Sequence, residues 1–164
     1  MTAEPRREDH EKRAARLRRL DRIYLRSPTY FVTACTANRR AFLAKAEVHG
    51  AFVQFAERGM ERGVWIGRYV IMPDHIHLFV VLDDQKLSLT NWIKSLKNAI
   101  SKTLRSLGVE SPHWQKGFFD HVLRSGESYW EKWEYVRINP ERAGLVTRAD
   151  DWFYQGEIYP LDVR

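Results

Sequence analysis

The chain has 164 residues, a 44% apolar fraction and six tryptophans, which fits one globular domain and excludes a disordered chain. Its net charge of +6 favours a polyanionic partner without naming one. A single cysteine rules out an internal disulfide, no apolar run approaches the roughly 18 residues that cross a bilayer, and the start is too charged for a secretory signal. A soluble cytoplasmic protein is expected, with no membrane partner.

Residues 1–22 are strongly charged and poor in apolar side chains, so they are expected to form a basic arm around a separate domain, residues 23–164. "TYFVTACTANRR", residues 29–40, is β-branched and aromatic and reads as a first strand closed by Arg39 and Arg40. Val48, Phe52, Phe55 and Ala56 then recur at helical spacing, with Gly63 as a stop. "VWIGRYVIM" (residues 64–72) and "HIHLFVVL" (75–82) read as two strands of a hairpin joined by a turn through Pro73 and Asp74.

A long helix follows, its apolar stripe running from Leu89 through Trp92, Ile93, Leu96, Ile100 and Leu104, with Gly108 as the end. Lys94 and Lys97 fall on its polar side. "KGFFDHVLR", residues 116–124, reads as a fourth strand. Ser128 and Glu131 make a capping-box pattern that opens a last helix, and Pro140 closes it. The order β-α-β-β-α-β-α predicts an α+β fold of ferredoxin-like (RRM-like) plan: an antiparallel sheet with two helices on one face. The other face is expected to be open, with the C-terminal helix lying across it or at its edge. His10, His49 and His113 are expected at the surface.

Alternation along the third strand sends Ile76, Leu78, Val80 and Leu82 to one face and His75, His77 and Phe79 to the other. Two neutral imidazoles two residues apart can share one divalent ion, but they need further ligands. A bare His-x-His is more often a pair of solvent-facing side chains. On the last helix Tyr129, Trp133 and Val136 form a packing stripe. Tyr135 falls roughly opposite, with Asn139 four residues on as its helical neighbour. A phenol and an amide oxygen off the packing stripe could supply a nucleophile and a third ligand; an ordinary exposed helix face would look the same.

The stretches "YVIMPDHIHLFVVL", "KGFFDHVLR" and "YVRINPERAGLV" together resemble the single-tyrosine (HUH) transposases of the IS200 type, and most of all the REP-associated tyrosine transposases. The likeness runs from about Tyr30 to Val146. It implies a metal pair at His75 and His77, a third ligand at Asn139 (where IS200-type members often carry Gln) and a nucleophile at Tyr135 on a catalytic C-terminal helix. It implies dependence on Mg²⁺ or Mn²⁺. It also implies cleavage and rejoining of single-stranded DNA near hairpins, repetitive extragenic palindromes in the REP-associated group, by a monomer or homodimer. Arg39, Arg40, Lys116 and Arg124 flank strand ends and are the expected DNA contacts. The competing reading is a non-catalytic RRM-like binder of nucleic-acid hairpins. "KGFF" resembles the start of an RNP1 motif, but Asp120 stands where an aromatic belongs.

Overall fold

The β-branched and aromatic runs pair as one antiparallel sheet. The computed structural model describes residues 28–124 and 126–161; the predicted arm, residues 1–22, lies outside them. The strands are β1 (Thr29–Cys35), β2 (Val64–Ile71), β3 (His75–Leu82), β4 (Phe119–Leu123) and β5 (Gln155–Glu157). Their order is β4-β1-β3-β2-β5. The first four make the ferredoxin-like arrangement, and β5 extends it at the β2 edge.

Helices α1 (Ala46–Gly59) and α2 (Leu89–Ser106) cover one face. Val48, Phe52 and Ala56 of α1 and Trp92, Ile93, Leu96, Ile100 and Leu104 of α2 bury against Ile76, Leu78, Val80 and Leu82 of β3. Ser88 caps α2, its Oγ accepting from the Asn91 N–H at 3.2 Å. Gly63 and Gly108 take φ of +80° and +75°, where the chain leaves each helical segment in a conformation other residues resist.

The face expected to be open carries a second core. Helix α3 (Gly126–Arg137) crosses it and packs Tyr129, Trp133 and Val136 against Val70, Phe79, Val81 and Leu123. Leu161 completes this layer from the C-terminal segment. It lies so close over Gly67 that a Cβ there would meet Leu161 Cδ1 at 2.5 Å, so any larger residue at that point would have to displace Leu161.

Several boundaries differ from the sequence reading. β1 stops at Cys35 because Thr36 turns its N–H and hydroxyl onto the Asp74 carbonyl, at 2.9 and 3.0 Å. Arg39 then ends a short 3₁₀ turn, Ala37–Arg39, instead of a strand. β4 starts at Phe119, after Gly117 at φ +74° interrupts the extended run. α3 begins at Gly126, only three residues after β4, so Ser128 lies inside its first turn and is not its cap. α3 also ends early, at Arg137; Ile138 separates it from a one-turn helix α4 (Asn139–Arg142). Proline ends one helix and fits the first turn of the next, where its missing N–H has no partner to lose. Asn139 therefore does not share a continuous helix with Tyr135. His113, expected at the surface, is buried, with Nε2 bonded to the Val109 carbonyl at 2.9 Å.

Phe79 is fully buried between β3 and α3, its ring 4.4 Å from Tyr129 and 6.4 Å from Trp133. Phe79→Ala is expected to cost about 3–5 kcal/mol, read as a lower urea midpoint.

Candidate active site

The site is built at one end of β3, where the sheet meets the Met72–His75 turn. That turn is fixed from outside: the Met72 N–H donates to the His75 carbonyl at 2.8 Å, and Leu43 N–H donates to the Pro73 carbonyl at 2.9 Å. With Thr36 also holding Asp74, the first residue of β3 has little freedom to move.

His75 and His77 then stand side by side on the α3 face, their Nε2 atoms 3.1 Å apart. Each Nδ1 has its own partner. His75 Nδ1 donates to Asp74 Oδ1 at 2.7 Å, and His77 Nδ1 lies 2.8 Å from Thr33 Oγ1. Thr33 is there because antiparallel register pairs it with His77. Arg39 holds the other Asp74 oxygen, Nε to Oδ2, at 2.8 Å, and donates from Nη1 to Cys35 Sγ at 2.9 Å. Its Nη2 is also 3.4 Å from His75 Nδ1, but a nitrogen donating to a carboxylate cannot accept from a guanidinium. The shorter carboxylate contact therefore sets the tautomer, leaving the His75 Nε2 lone pair free.

Arg39 reaches Asp74 through an unusual backbone. Asn38 and Arg39 both take left-handed φ, 53° and 54°. Such a conformation costs a non-glycine residue about 1–2 kcal/mol, less for asparagine. The turn keeps that strain while the guanidinium is matched to Asp74.

His77 has two arrangements. With Thr33 donating to Nδ1, its Nε2–H can bond His75 Nε2; with Nδ1–H donating to Thr33, both Nε2 lone pairs converge on one point. The threonine hydroxyl serves either state. Both imidazoles are held neutral. Burial pushes the His77 pKa from 6.5 down to about 3, helped by the charges of His75, Arg39 and Lys132. Burial also lowers His75, opposed by its hydrogen bond to Asp74. Neutral nitrogen lone pairs are what a metal ion requires. Among the described residues no group of three His, Cys, Asp or Glu side chains gathers to hold a metal.

α3 brings Lys132 beside the pair. Lys132 sits with Nζ 5.3 Å from the Phe31 ring centroid, and Phe31 stacks on His77 at 5.4 Å. No carboxylate pairs with Lys132 among the described residues. Tyr135 lies one turn further along the same flank of α3 and is 58% exposed, with the Arg142 guanidinium over its ring.

Residues 25–136 match the model of the family described as "Transposase IS200 like". The chain belongs to the IS200-like transposase family. Tyr135 falls inside the matched range and Asn139 outside it. The chain is similar to the REP-associated tyrosine transposase of Escherichia coli K12: 24% identical over 148 residues, covering 86% of this chain and 87% of the relative. A solved structure described as a REP-associated tyrosine transposase bound to a REP hairpin superposes with a TM-score of 0.64. That likeness covers 78% of this chain and 75% of the other at 24% identity, and supports the ferredoxin-like fold. Membership makes the chain a DNA-processing enzyme of the transposase class. Among the described residues no helix is long and apolar enough to cross a membrane.

This transposase fold separates the expected DNA contacts. Arg39 and Arg40 lie at the His-pair end of the sheet, and Lys116 is near them, beyond the Thr36–Trp114 bridge. Arg40 donates to the Glu110 carbonyl at 2.9 Å. Arg124 follows Leu123, which pairs with Thr29 at the opposite end, so it does not join the site. Lys97 bonds the carbonyls of Gln115 and Gly117 and therefore holds a loop. Asp120 and His121 are both exposed.

Four residues of the site were not picked out from sequence: Thr33, Asp74, Lys132 and Phe119. Phe119 is 68% exposed on the His-pair face, in register with Thr33 and His77. Strand alternation and helical spacing carried a signal for Thr33 and Lys132, once the pairing of β1 with β3 was assumed.

As pH falls, the unfolded chain protonates at His77 first, near 6.5, while the folded chain resists until about 3. The stability contributed by neutral His77 is thus full above about pH 6.5 and declines progressively toward pH 3. The urea midpoint of the metal-free protein is expected to fall between pH 7 and 5, with a shallower fall in His77→Gln.

Proposed function

We propose that this chain cleaves and rejoins single-stranded DNA beside hairpins through a covalent bond between Tyr135 and a 5′-phosphate. The observation that carries the reading is the pair of neutral imidazoles with Nε2 atoms 3.1 Å apart, on the face crossed by the tyrosine-bearing helix. Two imidazole nitrogens and an amide oxygen are donors for a divalent cation such as Mg²⁺ or Mn²⁺; His75 and His77 would hold it through Nε2 and Asn139 through its amide oxygen. When bound, that cation would polarise the phosphodiester and stabilise charge on the departing 3′-oxygen.

The chain's own residues do the rest. Tyr135 Oη forms a bond to phosphorus as the bond from phosphorus to the 3′-oxygen breaks. The phenol loses its proton and the 3′-oxygen gains one, so no net proton is consumed. The tyrosyl phosphodiester keeps the energy of the bond it replaced, and an incoming 3′-hydroxyl reverses the step. Asp74 and Thr33 orient the imidazoles, as outer partners of metal-ligating histidines do. Lys132, with no carboxylate partner among the described residues, offers its charge to the phosphate. Arg39, Arg40 and Lys116 neutralise neighbouring phosphates, and Phe119 offers a ring face to an unpaired base. Hairpin DNA, with REP-like palindromes as the leading candidates, is the substrate suggested by the neighbour solved with a REP hairpin.

Exposed Phe119 also suits the alternative, a non-catalytic RRM-like hairpin binder. Such a binder has no use for two neutral histidines held by separate partners.

The test is end-labelled single-stranded DNA carrying hairpins, incubated with Mg²⁺ or Mn²⁺ and with an EDTA control. A protein–DNA band that survives denaturation is expected with metal and absent with EDTA. Tyr135→Phe should abolish it, and His77→Ala should reduce it by more than about 100-fold. A band retained in Tyr135→Phe would assign the nucleophile elsewhere; tight binding with no band in any form would favour the binder.

Thr33→Val keeps the side-chain shape and removes the partner of His77 Nδ1. It is expected to weaken Mn²⁺ binding about 10- to 100-fold, measured by calorimetry.

A further inference from the structure

An exposed tyrosine that must attack in line has an orientation problem. Its ring can sample several rotamers, and only one directs Oη at the phosphorus. The Arg142 guanidinium lies over the Tyr135 ring, its Cζ 4.6 Å from the ring centroid.

The contact depends on the break after α3. Arg142 is the last residue of α4, and that turn is held at several points. Its own N–H donates to the Ile138 carbonyl at 2.9 Å, and Ala143 N–H donates to the Asn139 carbonyl at 2.9 Å. Leu145 N–H reaches the Pro140 carbonyl at 2.9 Å, and Pro140 is buried. The Glu141 carboxylate is engaged elsewhere, accepting from the Ala149 N–H at 3.1 Å.

Among the described residues the Arg142 charge is not taken up by an ion pair, as those of three other arginines are. Arg39 is paired with Asp74, Arg68 with Glu157, and Arg137 with Glu134 and Asp150. No carboxylate pairs with Arg142 among the described residues. Its cation rests on the phenol ring, and a guanidinium on an aromatic face is an attractive, orienting contact.

We propose that Arg142 is a positioning residue for Tyr135, holding the phenol ring in the orientation from which Oη attacks the phosphodiester. The proposal rests on the reading of Tyr135 as nucleophile. It assigns α4 a task separate from ligand supply by Asn139: the same turn carries the group that clamps the nucleophile.

The experiment compares wild type, Arg142→Met, Arg142→Lys and Tyr135→Phe on one hairpin DNA. Binding is read by fluorescence anisotropy without metal. Covalent adduct formation is read in single turnover at saturating DNA and Mn²⁺, and melting temperature reports folding. Arg142→Met should slow adduct formation about 10- to 100-fold while the dissociation constant changes less than about threefold. Arg142→Lys should recover part of the rate, because an ammonium keeps the charge but not the planar stacking. An unchanged rate in Arg142→Met overturns the proposal. So does a loss confined to binding, which would make Arg142 a DNA anchor. Should Arg142→Met melt lower than wild type, Arg142→Lys decides: at wild-type melting temperature, a slower adduct rate supports the clamp and a wild-type rate overturns it. If Tyr135→Phe still forms the adduct, the nucleophile reading itself fails; if it does not and Arg142→Met is silent, only the clamp fails.

Discussion

Everything in this molecule hangs on the two-residue period of β3. Alternate side chains of this strand serve two different environments: Ile76, Leu78, Val80 and Leu82 belong to the α1–α2 core, while His75, His77, Phe79 and Val81 belong to the α3 side. A slip of one residue would exchange the sets and put imidazoles into a hydrocarbon core. β3 is flanked by β1 and β2, so both neighbours resist that slip. Specifying the fold and placing the site are therefore a single requirement.

The electrostatics follow from the same geometry. Burial disfavours the imidazolium, and two imidazoles together disfavour it further. The cations Arg39 and Lys132 act in the same direction, while Asp74 balances Arg39 and opposes the trend at His75. The outcome is a site with nearby positive charge whose histidines nevertheless stay uncharged. That combination suits an anionic substrate next to open nitrogen lone pairs.

Much of this was legible in the residues, and the limits have physical causes. The alternation in "HIHLFVVL", the helical stripes and the packing stripe Tyr129–Trp133–Val136 are short-range patterns, and the fold follows them. The short turn at Ala37–Arg39 was missed because two non-glycine residues take left-handed φ there, which propensity argues against. Tyr135 and Asn139 read as one continuous helix because proline was treated only as a stop; it also begins α4. Arg124 was grouped with the site by its nearness in sequence to a strand end, yet only strand register shows which end that is. β5 is three residues long with no alternation to read, and only pairing with β2 defines it.

The closeness of Leu161 to Gly67 has a temporal meaning. These residues are far apart in the chain, and the layer they close also contains α3. During synthesis the α1–α2 core can condense once β4 has emerged, whereas the layer over the histidines waits for the residues around 161. Until then His75 and His77 lie on an uncovered sheet. The histidine end of the molecule thus matures last, and a nascent chain carries the pair before it carries the layer that covers it.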